Sequence, residues 1–352
     1  MTRTADRKWL RFVATFLFVF CGTLAATSAF IVLVDPFGTL PFSLALDRPI
    51  FGAAQRHIYP HLLRSGRFDS VILGTSTSRL VDPLTLNAPF SARFFNAALD
   101  NGMAWEQKLL FDQFLSKVPR PKIVLVGLDT VWCRENADHD RFGRPNFPYW
   151  LYDESPWNDL SYMLNSKMLE LAWRVVRYQF GGSRAQIRDD GFGVFTPPES
   201  KYDLKRARYN VWRGRDPTPP VVPPVTLTEA EKMSARFPAL DWLDEMMAKL
   251  PSVTVKVFAY MPVHIAAQPT PGSLGAAVEA ECKDRISAIA RRRGVHVLDW
   301  RIHSAITRDE SNYWDALHYR LPIAGRVAQG VIDAVVFGRD GSLDRDHLYT
   351  PP

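Results

Sequence analysis

A run of 23 residues without a charge, Phe12 to Val34 (FVATFLFVFCGTLAATSAFIVLV), constrains this chain more than any other feature. It exceeds the ~20 residues a helix needs to cross a hydrocarbon core. Arg3, Arg7, Lys8 and Arg11 precede it, opposed by Asp6 alone. The positive-inside rule therefore predicts a cytoplasmic N-terminus, with the rest of the chain translocated. Two other readings of the run exist. One is a cleaved signal peptide, for which Thr27-Ser28-Ala29 is a passable site, although the run is longer than the ~7–15 residues of an h-region. The other is a buried helix of a soluble protein.

The basic start also explains part of the charge. The formal net charge is +6, and the first eleven residues hold +3 of it. The remaining +3 spreads over the rest of the 352 residues, which argues against nucleic-acid binding. Three cysteines exclude a disulfide-stapled miniprotein and any CxxC module. No HExxH or GxxxxGK[ST] pattern occurs, so the sequence implies no metal or organic cofactor. Cys133 and Cys282 would both be extracytoplasmic, where a disulfide can form, but their spacing carries no signature.

Beyond the anchor, short apolar runs alternate with helical patterns. The segments 68–73, 93–97, 122–126, 253–260 and 295–300 read as buried strands. Those at 105–115, 276–293 and 323–336 read as helices. Continuous apolar strands separated by helices predict an α/β fold, a three-layer sandwich around a five-stranded parallel sheet. The rhythm breaks over residues 136–224, which are rich in aromatics, Arg, Asp and Pro and contain one predicted helix near 162–179. This reads as an insertion after a strand end, where it either lines a substrate groove or serves as a structural cap. The expected organisation is a basic tail at 1–11, an anchor at 12–34 and a juxtamembrane segment at 35–66. An α/β domain at 67–338 and a frayed tail at 339–352 follow.

The first strand ends in Gly74-Thr75-Ser76-Thr77-Ser78-Arg79. A serine at a strand's C-terminal end, followed by a helix N-terminus, suits a nucleophile whose attack creates an oxyanion. Near the C-terminus, Asp315-Ala316-Leu317-His318 places a carboxylate three residues before an imidazole. A carboxylate there fixes the tautomer while the other ring nitrogen takes a proton from serine.

Together these blocks resemble the SGNH (GDSL-type) hydrolase superfamily. They are most similar to its membrane-anchored extracytoplasmic branch, which includes alginate O-acetyltransferase-like and DltD-like proteins. The resemblance implies an SGNH/flavodoxin-like fold with Ser76, Asp315 and His318 as a catalytic triad. It also implies an oxyanion hole from the Ser76 and Gly102 backbones, with Gly102 in the second block, Phe95 to Gly102. The third block departs from the pattern, because Gly127-Leu128-Asp129 carries Asp where an Asn amide is expected. An ionised Asp would repel an oxyanion. Either Asp129 has another role, Asn101 supplies the amide, or the backbone N–H groups suffice. Asp129, Arg79 and His264 stand as candidate substrate contacts.

The resemblance implies an acyl-ester hydrolase or O-acyltransferase in the inner membrane, facing the periplasm. Its expected substrate is a cell-surface glycan or exopolysaccharide, and a membrane-bound acyltransferase is an expected partner. The rival expectation is an envelope assembly or glycan-binding protein that keeps the fold without the chemistry.

Overall fold

The computed structural model describes residues 2–143, 146–153, 155–339 and 346–352. In chain order its first six α-helices are α1 (Thr2–Val34), α2 (Gln55–Arg64), α3 (Pro83–Asn87), α4 (Ala104–Lys117), α5 (Pro156–Met163) and α6 (Ser166–Gln179). The others are α7 (Leu204–Trp212), α8 (Glu229–Ser234), α9 (Ala239–Ala248), α10 (Leu274–Arg293), α11 (Ala305–Arg308) and α12 (Leu321–Phe337). The strands are β1 (Ser70–Leu73), β2 (Phe94–Asn96), β3 (Ile123–Leu128), β4 (Val255–Tyr260), β5 (His296–Asp299) and β6 (Leu348–Thr350). The chain forms two compact units, Met1–His61 with Pro148–Gln186, and Leu62–Phe147 with Ile187–Pro352. The segment 136–224 is divided between them.

The second unit holds the sheet, in the order β2-β1-β3-β4-β5-β6. The first five strands pair in parallel. Every residue of β1 and β3 is buried, as strands covered on both faces require. Alternate side chains, among them Ile72, Leu125, Val257 and Leu298, pack with Leu86 of α3 and Val327 and Val331 of α12. On the other side, α4 meets β1, α10 meets β5, and both helices pack on α9. The order 2-1-3-4-5 reverses direction between β1 and β3, and in such sheets a crevice opens beyond the strand C-termini at that point.

Three expectations need correction. The sheet has six strands, because residues 348–350 of the supposed frayed tail add antiparallel to β5. Three residues are too few to display an alternating pattern, and the register depends on a distant partner: His296 Nδ1 lies 2.8 Å from the Tyr349 hydroxyl. Positions 340–345 of that tail lie outside the described residues. The helix expected near 162–179 is two helices, since Asn165 accepts from the Met168 N–H at 3.0 Å and starts α6 afresh. Finally, no helix follows β1 directly. Residues 76–80 form successive turns, and α3 starts only at Pro83, capped by Asp82. A Thr-Ser-Thr-Ser run offers its backbone side-chain alternatives to helix, whereas Asp-Pro is a strong start signal.

Cys133 and Cys282 are joined, with Cα atoms 5.8 Å apart across 149 positions of sequence. The bond ties the turn after β3 to α10. Closing a loop of that length removes on the order of 5 kcal/mol of chain entropy from the unfolded state.

In the first unit, α1 contains the stretch Arg7–Val34, long and apolar enough to cross a membrane. Its Phe12, Phe16 and Phe18 are exposed, while Ile31 and Val34 in the last turn are buried. Arg48 caps this end, donating to the carbonyls of Val34 at 3.1 Å and Asp35 at 2.6 Å. Nearby, His57 stacks on Phe37 at 5.0 Å. Burial, with a smaller push from Arg56, lowers its pKa from 6.5 to about 4. The unfolded chain therefore takes up this proton between pH 6.5 and 4 while the folded one does not. The associated stability is fully present above pH 6.5 and is lost as pH falls. Thermal unfolding of the full-length protein is expected to show a loss of about 3 kcal/mol across that window, reduced in His57→Phe.

Candidate active site

The turn after β1 is built around a close approach. The Ser78 side chain sits between Gly74 and Gly127, and a Cβ at either glycine would run into its hydroxyl. Small residues at the ends of β1 and β3 thus let the turn fold across the sheet edge. Asn96, at the end of β2, donates to the carbonyls of Ser78 at 3.0 Å and Val81 at 2.9 Å. The Tyr319 hydroxyl donates to the Thr77 carbonyl. Ser76 stands on a turn held from three directions.

The loop from Tyr313 to Tyr319 closes on itself. Its two ends form an antiparallel bridge, and the Trp314 N–H donates to the His318 carbonyl at 2.9 Å. Inside it, Asp315 Oδ1 accepts from the N–H groups of Leu317 at 2.8 Å and His318 at 3.0 Å. Asp315 Oδ2 lies 2.8 Å from His318 Nδ1, and His318 Nε2 lies 3.0 Å from the Ser76 hydroxyl. Burial alone would raise the Asp315 carboxyl. The bond and charge of His318 and the two N–H groups outweigh it and hold the carboxyl below its ordinary value. An ionised carboxylate only accepts, so His318 Nδ1 donates to it, and in the neutral ring Nε2 then presents its lone pair to Ser76. This arrangement can draw the proton from the serine as it attacks an electrophile.

Ser76 and His318 open onto a cavity of about 490 Å³, which Thr75, Asn101, Gly102, Asp129, Glu279 and Arg301 also line. Asn101 takes a left-handed backbone, φ 47°. The Gly102 N–H, the expected oxyanion donor, is given to the Leu99 carbonyl at 3.2 Å. The Ser76 N–H has no acceptor among the described residues.

Asp129 works as an acceptor at two points. Its Oδ2 accepts from Thr75 and, at 3.5 Å, from Thr77, on either side of Ser76. Its Oδ1 accepts from the Val131 N–H at 3.3 Å. Burial pushes its carboxyl above the ordinary value, against the nearby charge of Arg301 and these hydrogen bonds. An amide has one acceptor oxygen where the carboxylate has two. Asp129→Asn is therefore expected to strand one of these donors. The cost should be about 1–3 kcal/mol in denaturant unfolding.

The other two candidate contacts lie outside the cavity lining. Arg79 is buried, paired with Asp100, and its guanidinium sits over the Phe195 ring at 4.8 Å. His264 is fully buried and caps the turn Ile265–Ala267, its Nδ1 accepting from the Ala266 N–H at 3.1 Å. Its ring lies edge-on to Trp212 and Tyr313, and its backbone N–H donates to the Ala316 carbonyl at 2.9 Å. His264 thereby braces the loop that carries Asp315 and His318. Burial lowers its pKa.

The main residue missed from sequence is Arg301. It is 6% exposed, and no hydrogen bond or ion pair engages its guanidinium among the described residues. The available signal was its place two residues after β5, at the same sheet edge as Ser76. Phe195, edge-on to His318 at 5.1 Å, also lines the cavity, and the aromatic composition of the insertion was its only signal.

No family model matches the chain, and no curated protein matches it. Among solved structures it is similar to a Bacteroides fragilis chain provisionally described as an acylhydrolase. That similarity covers 76% of this chain and 87% of the other, at 9% identity and a TM-score of 0.34. A likeness that distant assigns nothing to this chain.

Proposed function

We propose that this chain is a serine-dependent acyl-ester enzyme of the SGNH type, a hydrolase or an O-acyltransferase. The observation that carries the reading is the hydrogen-bonded series Ser76–His318–Asp315, with spacings of 3.0 and 2.8 Å, opening onto a cavity. In this account the Ser76 oxygen bonds to the acyl carbon while its proton passes to His318 Nε2. Asp315 orients the ring and stabilises the imidazolium. His318 then returns the proton to the departing alkoxide. Water or a sugar hydroxyl attacks the acyl-enzyme and releases Ser76.

The developing oxyanion needs donors. The Ser76 N–H is the first of them. Gly102 joins if its N–H turns from the Leu99 carbonyl, and Asn101 lines the same cavity. Asp129 has the other role the sequence left open, as acceptor for the hydroxyls flanking Ser76.

The enzyme is proposed to hang from α1 in the inner membrane, with the main domain in the periplasm. The four basic residues in the first turns of α1, ahead of its uncharged stretch, and the Cys133–Cys282 bond both favour that placement. Thr75, Asn101, Asp129 and Glu279 of the cavity lining could bind the hydroxyls of a surface glycan, and Val131, Phe195, Val263 and Leu317 offer apolar walls to its acyl group. An acyl donor would then come from a membrane-bound acyltransferase. A non-catalytic glycan-binding role has one observation in its favour, the engagement of the Gly102 N–H by Leu99.

A chromogenic acetyl ester, offered with and without an oligosaccharide acceptor, separates these readings. Turnover with water marks a hydrolase, and turnover that requires the sugar marks a transferase. Glycan binding without turnover of any ester favours the second role.

A further inference from the structure

Helix α6 carries two apolar rows, where a helix at the surface of a water-soluble protein carries one. Met168, Leu171, Ala172 and Val175 form the first and are buried. Leu169, Trp173, Val176 and Phe180 recur at intervals of four, three and four and form the second. Leu169, Trp173 and Phe180 in this second row are exposed. The same unit exposes Phe42, Trp157, Tyr162 and Leu164, and Phe42 stacks on Trp157 at 5.9 Å.

The position of this surface is set by α1. The Trp173 ring meets Phe30 at 6.5 Å. Phe30 lies four residues before the end of α1 at Val34, about 6 Å along the helix axis. A side chain that touches the last turns of a membrane-crossing helix lies at headgroup depth. Tryptophan and tyrosine concentrate there, and lysine and arginine reach the phosphates. Of the basic residues of α6, Arg177 is exposed next to this row, while Lys167 pairs with Glu170 and Arg174 sits over the Phe51 ring.

We propose that α5 and α6 form an interfacial platform, with Trp157 and Trp173 seated in the lipid headgroup layer on the C-terminal side of α1. Its partner is the bilayer surface itself. The proposal rests on α1 crossing the membrane. The aromatic segment from Trp157 to Phe180 then holds the chain at the lipid surface and does not line a substrate groove.

The test uses the full-length protein in nanodiscs of phosphatidylcholine and phosphatidylglycerol. The Trp157→Phe, Trp173→Phe double variant keeps an apolar ring at both positions. Subtracting its emission from that of the wild type isolates these two tryptophans from the ten in the chain. The expected result is a loss of this difference signal with lipids brominated high on the acyl chain. Lipids brominated near the chain end should cause a smaller loss, and aqueous acrylamide little. Strong acrylamide quenching without a bromolipid effect would place the surface in water and overturn the proposal. Insensitivity to every quencher would mean that protein covers the surface, a second copy or another chain, and would also overturn it. Alkaline carbonate extraction runs alongside. Release of the chain would remove the spanning reading of α1 and the proposal with it. Retention with water-quenched tryptophans would overturn the platform alone.

Discussion

Ser76→Ala is expected to lower kcat for a simple acetyl ester by a factor on the order of 10⁴–10⁶, with the fold unchanged by circular dichroism. The size follows from what the substitution removes. Ser76 supplies the nucleophilic oxygen, and His318 Nε2, 3.0 Å away, has no other proton to take in the attack. The turn itself should survive, because its supports come from Ser78, Asn96 and Tyr319 and not from the Ser76 hydroxyl. A fall of less than about tenfold would place the nucleophile elsewhere.

Asp315→Asn should cost about 10⁴ in kcat with little change in KM. Asp315 Oδ1 is already held by the N–H groups of Leu317 and His318. An asparagine would keep its oxygen at that position, since two donors point to it. Its NH₂ group would then face His318 Nδ1, 2.8 Å away in the native site, and would force that nitrogen to accept. The ring proton would move to Nε2, the nitrogen that must be free to receive the serine proton. The loss should therefore exceed what a missing hydrogen bond explains. Combining Asp315→Asn with Ser76→Ala should add almost nothing, because both act on one proton transfer. Full additivity in steady-state kinetics would show that the two residues do not work together.

The parts of this molecule legible in the sequence are those dictated by short-range pattern. Buried strands such as SVIL and IVLVGL announce themselves, because a strand covered on both faces tolerates little polarity. The strand ends then place Ser76, Asp129 and the loop of His318 on one edge of the sheet. What escaped depends on partners far away in sequence. β6 exists through its pairing with β5 across roughly fifty positions. Arg79 left a substrate contact and a salt bridge both open, because Asp100, with which it pairs, lies beyond any helical spacing. His264 stood as a candidate substrate contact, and its place between Trp212 and Tyr313 follows from tertiary packing alone. The aromatic insertion was legible only in part, since Phe195 within it lines the cavity while other rings lie in the first unit. Its composition marks exposed rings, but not which of the two units they belong to. Asp129 was legible as a departure from a pattern, and its meaning emerged only with Thr75 and Thr77 beside it.

The account turns on one atom, the Ser76 hydroxyl oxygen, being a nucleophile. A fluorophosphonate reports on it without assuming the acyl group or the acceptor, since it captures a serine activated by a neighbouring imidazole. The measurement is peptide mass spectrometry of the full-length protein after exposure to the reagent. The account predicts one phosphonyl adduct, on the peptide carrying Ser76, and its loss in His318→Ala. A folded protein that takes up no reagent, or takes it up at another residue, would contradict it.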